Sequence, residues 1–277
     1  MIQKMTIATS LAPGKEIDIQ REAVSSWQKI GFTVISVNCE EEITILKPHF
    51  PTIEFVRVFK DARKQYGKPY VYFDDIMTVL LKQDCKVCGI VNSDIQLVKA
   101  ELYSLLLKEA VGSLIYGSRM DVENLTSTGG EVVQEGFDYF FFDKSVIAAY
   151  PPSAFCLGLP CWDYWAILAP LFSGIPVKKV MTPHAYHIRH KVNWNNEISN
   201  QLFRYLLLRH IRPLSIEAAS PYYILEFIER YSRKLTLHDE NYDKETRENL
   251  VSQIKEIIIK GKIQGRIIDK LLFFRTI

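Results

Sequence analysis

Asn92, Ser93 and Asp94 carry the clearest chemistry in this sequence. An apolar run over residues 87–91 stops abruptly at them. In an α/β protein such a run is a buried strand. Its C-terminal end opens on the crevice where open sheets bind ligands. A carboxylate at position 94, with a second oxygen donor two residues earlier, suits a hard divalent cation that itself holds phosphate oxygens. The competing reading is a strand end followed by an Asx cap for the next helix. The rest of the chain tips the balance toward the cation.

The elements that would position these residues alternate along the first half. Strand patterns over 5–9, 32–37, 53–59 and 87–91 are separated by helix patterns over 19–30, 43–46, 70–81 and 97–110. In the first helix Ala23, Trp27 and Ile30 share a face, and Gly31 follows as the terminating glycine. Such alternation implies parallel strands joined by right-handed crossovers. Residues 1–111 therefore read as a Rossmann-type nucleotide-binding half. Beyond them, 113–118 and 137–143 read as strands around a polar loop at 126–130. A short element at 145–150 is stopped by Pro151 and Pro152. A buried helix follows over 162–172, then a last strand over 177–181 and a loop over 182–194 that holds His184, His187 and His190. From 195 onward the pattern is helical, with segments at 196–211, 221–232, 244–259 and 264–274. The expected architecture is α/β with a mostly parallel central sheet. A domain over 1–194, with halves at 1–111 and 112–194, precedes a helical extension over 195–277.

Composition narrows the class. The 277 residues are 48% hydrophobic and 24% charged, ordinary for a globular protein. A net charge of +2 gives no reason to expect a nucleic-acid partner. No apolar stretch approaches the ~18 residues of a membrane span. The strand pattern begins almost at Met1, which leaves no room for a signal peptide. Five cysteines, an odd number without a framework, fit a reducing compartment. Cys85 and Cys88 have redox or zinc spacing but lack a second pair, and read as structural. The expected location is cytoplasmic. Residues 255–275 interleave Lys255, Lys260, Lys262, Arg266, Lys270 and Arg275 with bulky apolar side chains. Packing within the chain or against a second subunit is expected of this segment. Peripheral contact with an anionic membrane face is the alternative.

The pieces together resemble a GT-A-fold glycosyltransferase, the class that uses nucleotide-diphospho-sugar donors. The likeness covers roughly residues 5–194. It rests on the strand–loop–helix of residues 9–27, on Asn92 to Asp94 as a DxD-like motif with Asn first, on the acidic segment around Asp163, and on His187 with His190 after the last strand. The resemblance implies a Rossmann-like GT-A fold, a nucleotide-sugar donor, and a divalent metal, Mn²⁺ or Mg²⁺. It implies Asp94, His187 and His190 as metal ligands. A glycan or lipid-linked acceptor, at the inner membrane face in many such enzymes, would receive the sugar.

Transfer would break the bond between the anomeric carbon and a phosphate oxygen. A cation would offset the charge of the departing diphosphate. An imidazole ligand would favour Mn²⁺ over Mg²⁺. Asp163 is the candidate base for an inverting reaction, since it opens a helix whose N-terminus favours its charge. Capping is its alternative. Asp138 is the second candidate, with a buried, hydrogen-bonded strand residue as the alternative. Trp162, Trp165 and Trp194 could face the sugar or fill the core. Donor contacts are expected from Thr9, Ser10, Glu40, Asp74, Asp75, Asn92, Ser93, Asp94 and Arg119, the last beside Met120 and Asp121. Lys60 and Arg63 are candidate phosphate contacts. Two other functions compete: a sugar-nucleotide nucleotidyltransferase, opposed by the single Gly of the first loop, and a non-catalytic donor-binding scaffold, suggested by Asn92. A homo-oligomer is compatible with the helical end.

Overall fold

A computed structural model describes residues 4–14, 16–124, 129–133, 137–189 and 195–211. His190, Trp194, most of the 126–130 loop and all expected helices beyond 211 lie outside the described residues. The first half follows the expected alternation: β1 (Thr6–Thr9), α1 (Ile17–Ile30), β2 (Thr33–Asn38), α2 (Glu40–Leu46), β3 (Glu54–Arg57), α3 (Arg63–Tyr66), α4 (Phe73–Leu81) and β4 (Val87–Val91). There follow β5 (Ile95–Leu97), α5 (Glu101–Glu109), β6 (Leu114–Val122), β7 (Glu131–Val133) and β8 (Tyr139–Asp143), with a 3-10 turn over Lys144–Ala149. The order closes with α6 (Trp162–Phe172), β9 (Val177–Ile188) and α7 (Asn196–Tyr205), which continues as a π-helical turn over Leu206–Ile211. Among the described residues, no helix is long and apolar enough to cross a membrane.

Among the described residues, one nine-stranded sheet runs in the order β3-β2-β1-β4-β8-β6-β9-β5, with β7 added on β6. Strands β1, β2, β3, β4, β6 and β9 point one way and β5, β7 and β8 the other. The sheet is therefore mixed but mostly parallel, a Rossmann-like α/β fold. Side chains alternate across it. Ala8, Ile90, Phe140 and Phe142 face a core closed by α4 and α6, while Ile7, Val91, Tyr139 and Phe141 face α1 and α5. In α1 the buried residues Gln20, Ala23, Val24 and Trp27 follow helical spacing, and Gly31 ends the helix at φ 113°. Leu202, Phe203 and Leu206 join the α4/α6 core, so the turns after residue 195 pack on the same body.

Several segments depart from the sequence reading. Helix α3 and strand β7 were not expected, and β6 runs to Val122 rather than ending at 118. Leu97, expected to begin a helix, closes strand β5, and that helix starts at Glu101. Strand β9 runs to Ile188 where a loop was expected after 181. Pro183 sits where β9 breaks register against β6: Gly117 pairs with Val180, but Arg119 pairs with Ala185. A bulge tolerates a residue that lacks an N–H donor.

The connection between β4 and β5 shapes the molecule. These strands stand four places apart in the sheet, about 19 Å at ~4.8 Å per strand if the sheet were flat. Val91 and Ile95 are only four residues apart, a reach of roughly 14 Å at most. The sheet must curl so that this edge closes on itself.

Candidate functional site

That closed edge gathers polar side chains from five neighbouring strands. The β4–β8 ladder continues one step, with Asn92 N–H donating to the Asp138 carbonyl at 2.9 Å. The two side chains then meet, Asn92 Nδ2 donating to Asp138 Oδ1 at 2.7 Å. Arg119, in the second half of β6, forks between Asp138 Oδ2 (2.7 Å, Nη1) and Asp121 Oδ1 (2.8 Å, Nε). Burial lowers the guanidinium pKa, but Asp138 and Asp121 outweigh it and the net shift is upward. Register places His187 opposite Asp121 on one side and Ile95 on the other. Its Nδ1 lies 3.1 Å from Asp121 Oδ1, and its Nε2 lies 3.6 Å from Asp94 Oδ2. A polar chain thus runs from Asn92 through Asp138, Arg119, Asp121 and His187 to Asp94, back within two residues of its start.

The donor atoms at its end suit a divalent cation. A carboxylate oxygen and an imidazole nitrogen stand 3.6 Å apart, a pairing acceptable to Mn²⁺. Among the described residues, no group of three or more His, Cys, Asp or Glu side chains could hold a metal ion alone. Water and phosphate oxygens would fill the remaining positions, as hard cations in nucleotide sites allow. Ser93 is half-buried between the two motif residues.

The β1–α1 loop is held by a buried polar network that the sequence reading did not foresee. Ser36 accepts from Leu11 N (3.0 Å) and donates to Asn38 Oδ1 (2.6 Å). Asn38 Nδ2 donates to Leu11 O (2.7 Å) and Glu42 Oε2 (2.8 Å), with Ser10 Oγ at 3.4 Å. Gln20 binds both the N–H and the carbonyl of Ala12 at 2.8 Å. Thr9 is fully buried and Ser10 half-buried at the loop's start. Ser36 and Asn38, polar residues inside an otherwise apolar strand, were the available signal.

Past the ends of β2 and β3 lies a cleft of about 660 Å³. Glu40 and Arg57, ion-paired at 3.1 Å, line it with Phe59, Lys60 and Tyr72. Phe59 is 88% exposed, with the Arg57 guanidinium 4.5 Å from its ring centre. Arg63 also lines the cleft and is engaged by Asp61 and Glu41, whose carboxyl it pulls down to about 2. Asp74 accepts from Ser153 N and Oγ at 2.7 and 2.8 Å, which pins the segment before α6. Asp75 is half-buried, and burial and the neighbouring Asp74 raise its pKa against the pull of Lys60.

Asp163 occupies the first turn of α6, after a turn in which Gly158 and Cys161 both take left-handed backbone (φ 81° and 76°). Trp162 packs on Phe140 (5.3 Å between ring centres) and Tyr164 on Phe137 (6.1 Å). These contacts hold the start of α6 against the start of β8, next to Asp138. Trp162 and Trp165 are core residues, 3% and 0% exposed.

No protein-family model and no curated protein matches the sequence. Solved structures do. S. aureus TarS (residues 1–349), solved with UDP-GlcNAc, aligns over 94% of this chain and 83% of its own at 13% identity, with a TM-score of 0.52. The chain has the nucleotide-diphospho-sugar transferase fold. Within that fold the other likenesses are looser. Glucosyl-3-phosphoglycerate synthase of Mycobacterium tuberculosis, solved with Mn²⁺, UDP and glucosyl-3-phosphoglycerate, aligns over 75% of this chain and 80% of its own at 11% identity (TM-score 0.47). The 4-diphosphocytidyl-2C-methyl-D-erythritol synthase of Anaerococcus prevotii aligns over 73% and 99% at 11% identity (TM-score 0.43). Against a longer TarS structure, this chain spans 48% of the length.

Proposed function

We propose that this protein is a glycosyltransferase that moves a sugar from a nucleotide-diphosphate donor to a glycan or glycolipid acceptor. The observation that carries the reading is the pairing of Asp94 Oδ2 with His187 Nε2 across 3.6 Å at the C-terminal edge of the sheet. On that same edge the ordered β1–α1 loop stands one strand from β4, and the Glu40 cleft two to three. Two to three strand spacings are about 10–14 Å, a span that suits a nucleotide with its diphosphate near Asp94 and its base toward the cleft. Ser10, Glu40 and Asp75 are then donor contacts on the nucleoside side; Thr9, expected among them, is buried beneath the loop, and Asp74 holds the wall. Asn92, Ser93 and Arg119 shape the diphosphate–sugar side.

Asp94 and His187 would hold a divalent cation, with His190 a further candidate ligand; the ion would supply charge compensation for the departing diphosphate. Asp163 removes the acceptor hydroxyl proton as that oxygen attacks the anomeric carbon. The bond from that carbon to the diphosphate oxygen breaks, and the electron pair leaves with the diphosphate. This is single displacement and inverts the centre. Asp138, engaged by Asn92 and Arg119, is the second candidate base. UDP-GlcNAc in the TarS complex makes a uridine donor the first to try. We assign the work to polysaccharide assembly on the cytoplasmic side, with a catalytic unit over 1–194 and a helical extension over 195–277. Residues 255–275 are the candidate contact with a membrane-borne acceptor or a second subunit.

The test is a thermal-shift screen of nucleoside diphosphates and nucleotide sugars with and without Mn²⁺. A ligand bound only by the native state raises the midpoint by mass action. Metal-dependent stabilisation by one diphosphate is the expected result. No shift in either condition overturns the transferase reading, and metal-independent donor binding without transfer favours a scaffold.

A further inference from the structure

We propose that Asp121 is a positioning residue that fixes the tautomer and aim of His187. The inference rests on the reading of Asp94 and His187 as the cation-holding pair. Asp121 Oδ1 stands 3.1 Å from His187 Nδ1. An ionised carboxylate can only accept a hydrogen bond, and Asp121 is within hydrogen-bond reach of the ring while Asp94 is beyond it, so the ring proton belongs on Nδ1. Nε2 then presents its lone pair on the side where Asp94 Oδ2 lies at 3.6 Å. A carboxylate behind a metal-binding histidine fixes its tautomer and the orientation of its ring.

Asp121 is itself held. The same Oδ1 accepts from Arg119 Nε at 2.8 Å, and Arg119 is braced by Asp138 at 2.7 Å. Asp138 in turn accepts from Asn92 at 2.7 Å. The Asn in the first motif position therefore has a use: its amide donates into a carboxylate where an Asp would bring a second negative charge. Asn92 and Asp94 are thereby linked from both sides, one through the backbone of Ser93 and the other through four side chains. His187 is 5% exposed, so burial also restrains its ring, and Asp121 selects which nitrogen faces Asp94.

The test uses the full chain labelled with ¹⁵N-histidine. Nitrogen shifts read the His187 tautomer, and titration with Mn²⁺ alone reads affinity through paramagnetic broadening of the same ring. Wild type is expected to carry the proton on Nδ1. Asp121→Asn is expected to lose that preference and to weaken Mn²⁺ binding about 10- to 100-fold, with Asp121→Glu recovering part of it. A wild-type ring protonated on Nε2 alone overturns the proposal whatever the variants do. So does Mn²⁺ affinity in Asp121→Asn within about twofold of wild type while Asp94→Ala and His187→Ala lose it; the cation site then stands without this residue. If neither of those two variants changes Mn²⁺ binding, the cation reading falls and the positioning role falls with it.

Discussion

Replacing Arg119 by Leu tests the polar chain where it branches. The guanidinium bridges Asp138 and Asp121 with side chains only 23%, 11% and 17% exposed. Each pair is worth about 4 kcal/mol of gross attraction at an effective dielectric of ~20. Most of that repays the cost of taking the charges out of water. What remains visible on deletion is the penalty for two stranded carboxylates: about 3–5 kcal/mol for a fully buried pair, and about 2–3 kcal/mol here once partial exposure is allowed for. Urea denaturation at pH 7 should show that loss with an unchanged m value. The mechanism makes a second demand. In Arg119→Leu with Asp138→Asn, one stranded charge is gone, so the double variant should recover about 1 kcal/mol relative to the sum of the singles. Additive singles, or a loss below about 0.5 kcal/mol for Arg119→Leu, would refute the view that this arginine holds the edge together electrostatically.

Three other changes probe different links. Asp163→Asn should lower the rate of sugar transfer on the order of 10²- to 10⁴-fold while calorimetry shows unchanged donor binding; loss of binding instead would make Asp163 a donor contact. Burial lowers His210, packed 4.4 Å from Trp165, to about 4, and burial followed by the charge of Lys99 lowers His184 to about 4. The unfolded chain therefore binds more protons between pH 6.5 and pH 4, so stability is full above 6.5 and falls through that window, by at most about 3 kcal/mol per histidine. His210→Phe should flatten this acid limb in denaturation curves from pH 7 to pH 4. Gly89→Ala places a methyl against the Phe141 ring and 2.7 Å from the Phe140 carbonyl oxygen; overpacking of this kind costs about 1–3 kcal/mol, and a melting temperature equal to wild type would show that β4 and β8 can separate freely.

Residues 87–91 and 162–172 were legible because each is an apolar run bounded by residues that stop it, and the structure ends both elements at those residues. The first crossover was legible for the same reason, since the buried residues of α1 share a face and Gly31 ends the helix. Short β5 was not, because Ile95 carries no pattern of its own and Leu97 reads as the start of the helix over 97–110. What decides their state is pairing with Tyr186 and its neighbours, about 90 residues away. The site follows the same divide. Asn92 and Asp94 could be read locally, whereas the role of Asp121 depends on register. Carried on without interruption from Gly117 and Val180, the β6–β9 ladder would set Asp121 opposite His184. The bulge around Pro183 advances β9 by three residues and sets it opposite His187. His184, His187 and His190 are themselves three residues apart, so this shift replaces one imidazole by the next and sends His184 to a fully buried position. A proline that argues against a strand in the sequence sits in the irregularity that selects which histidine meets Asp94.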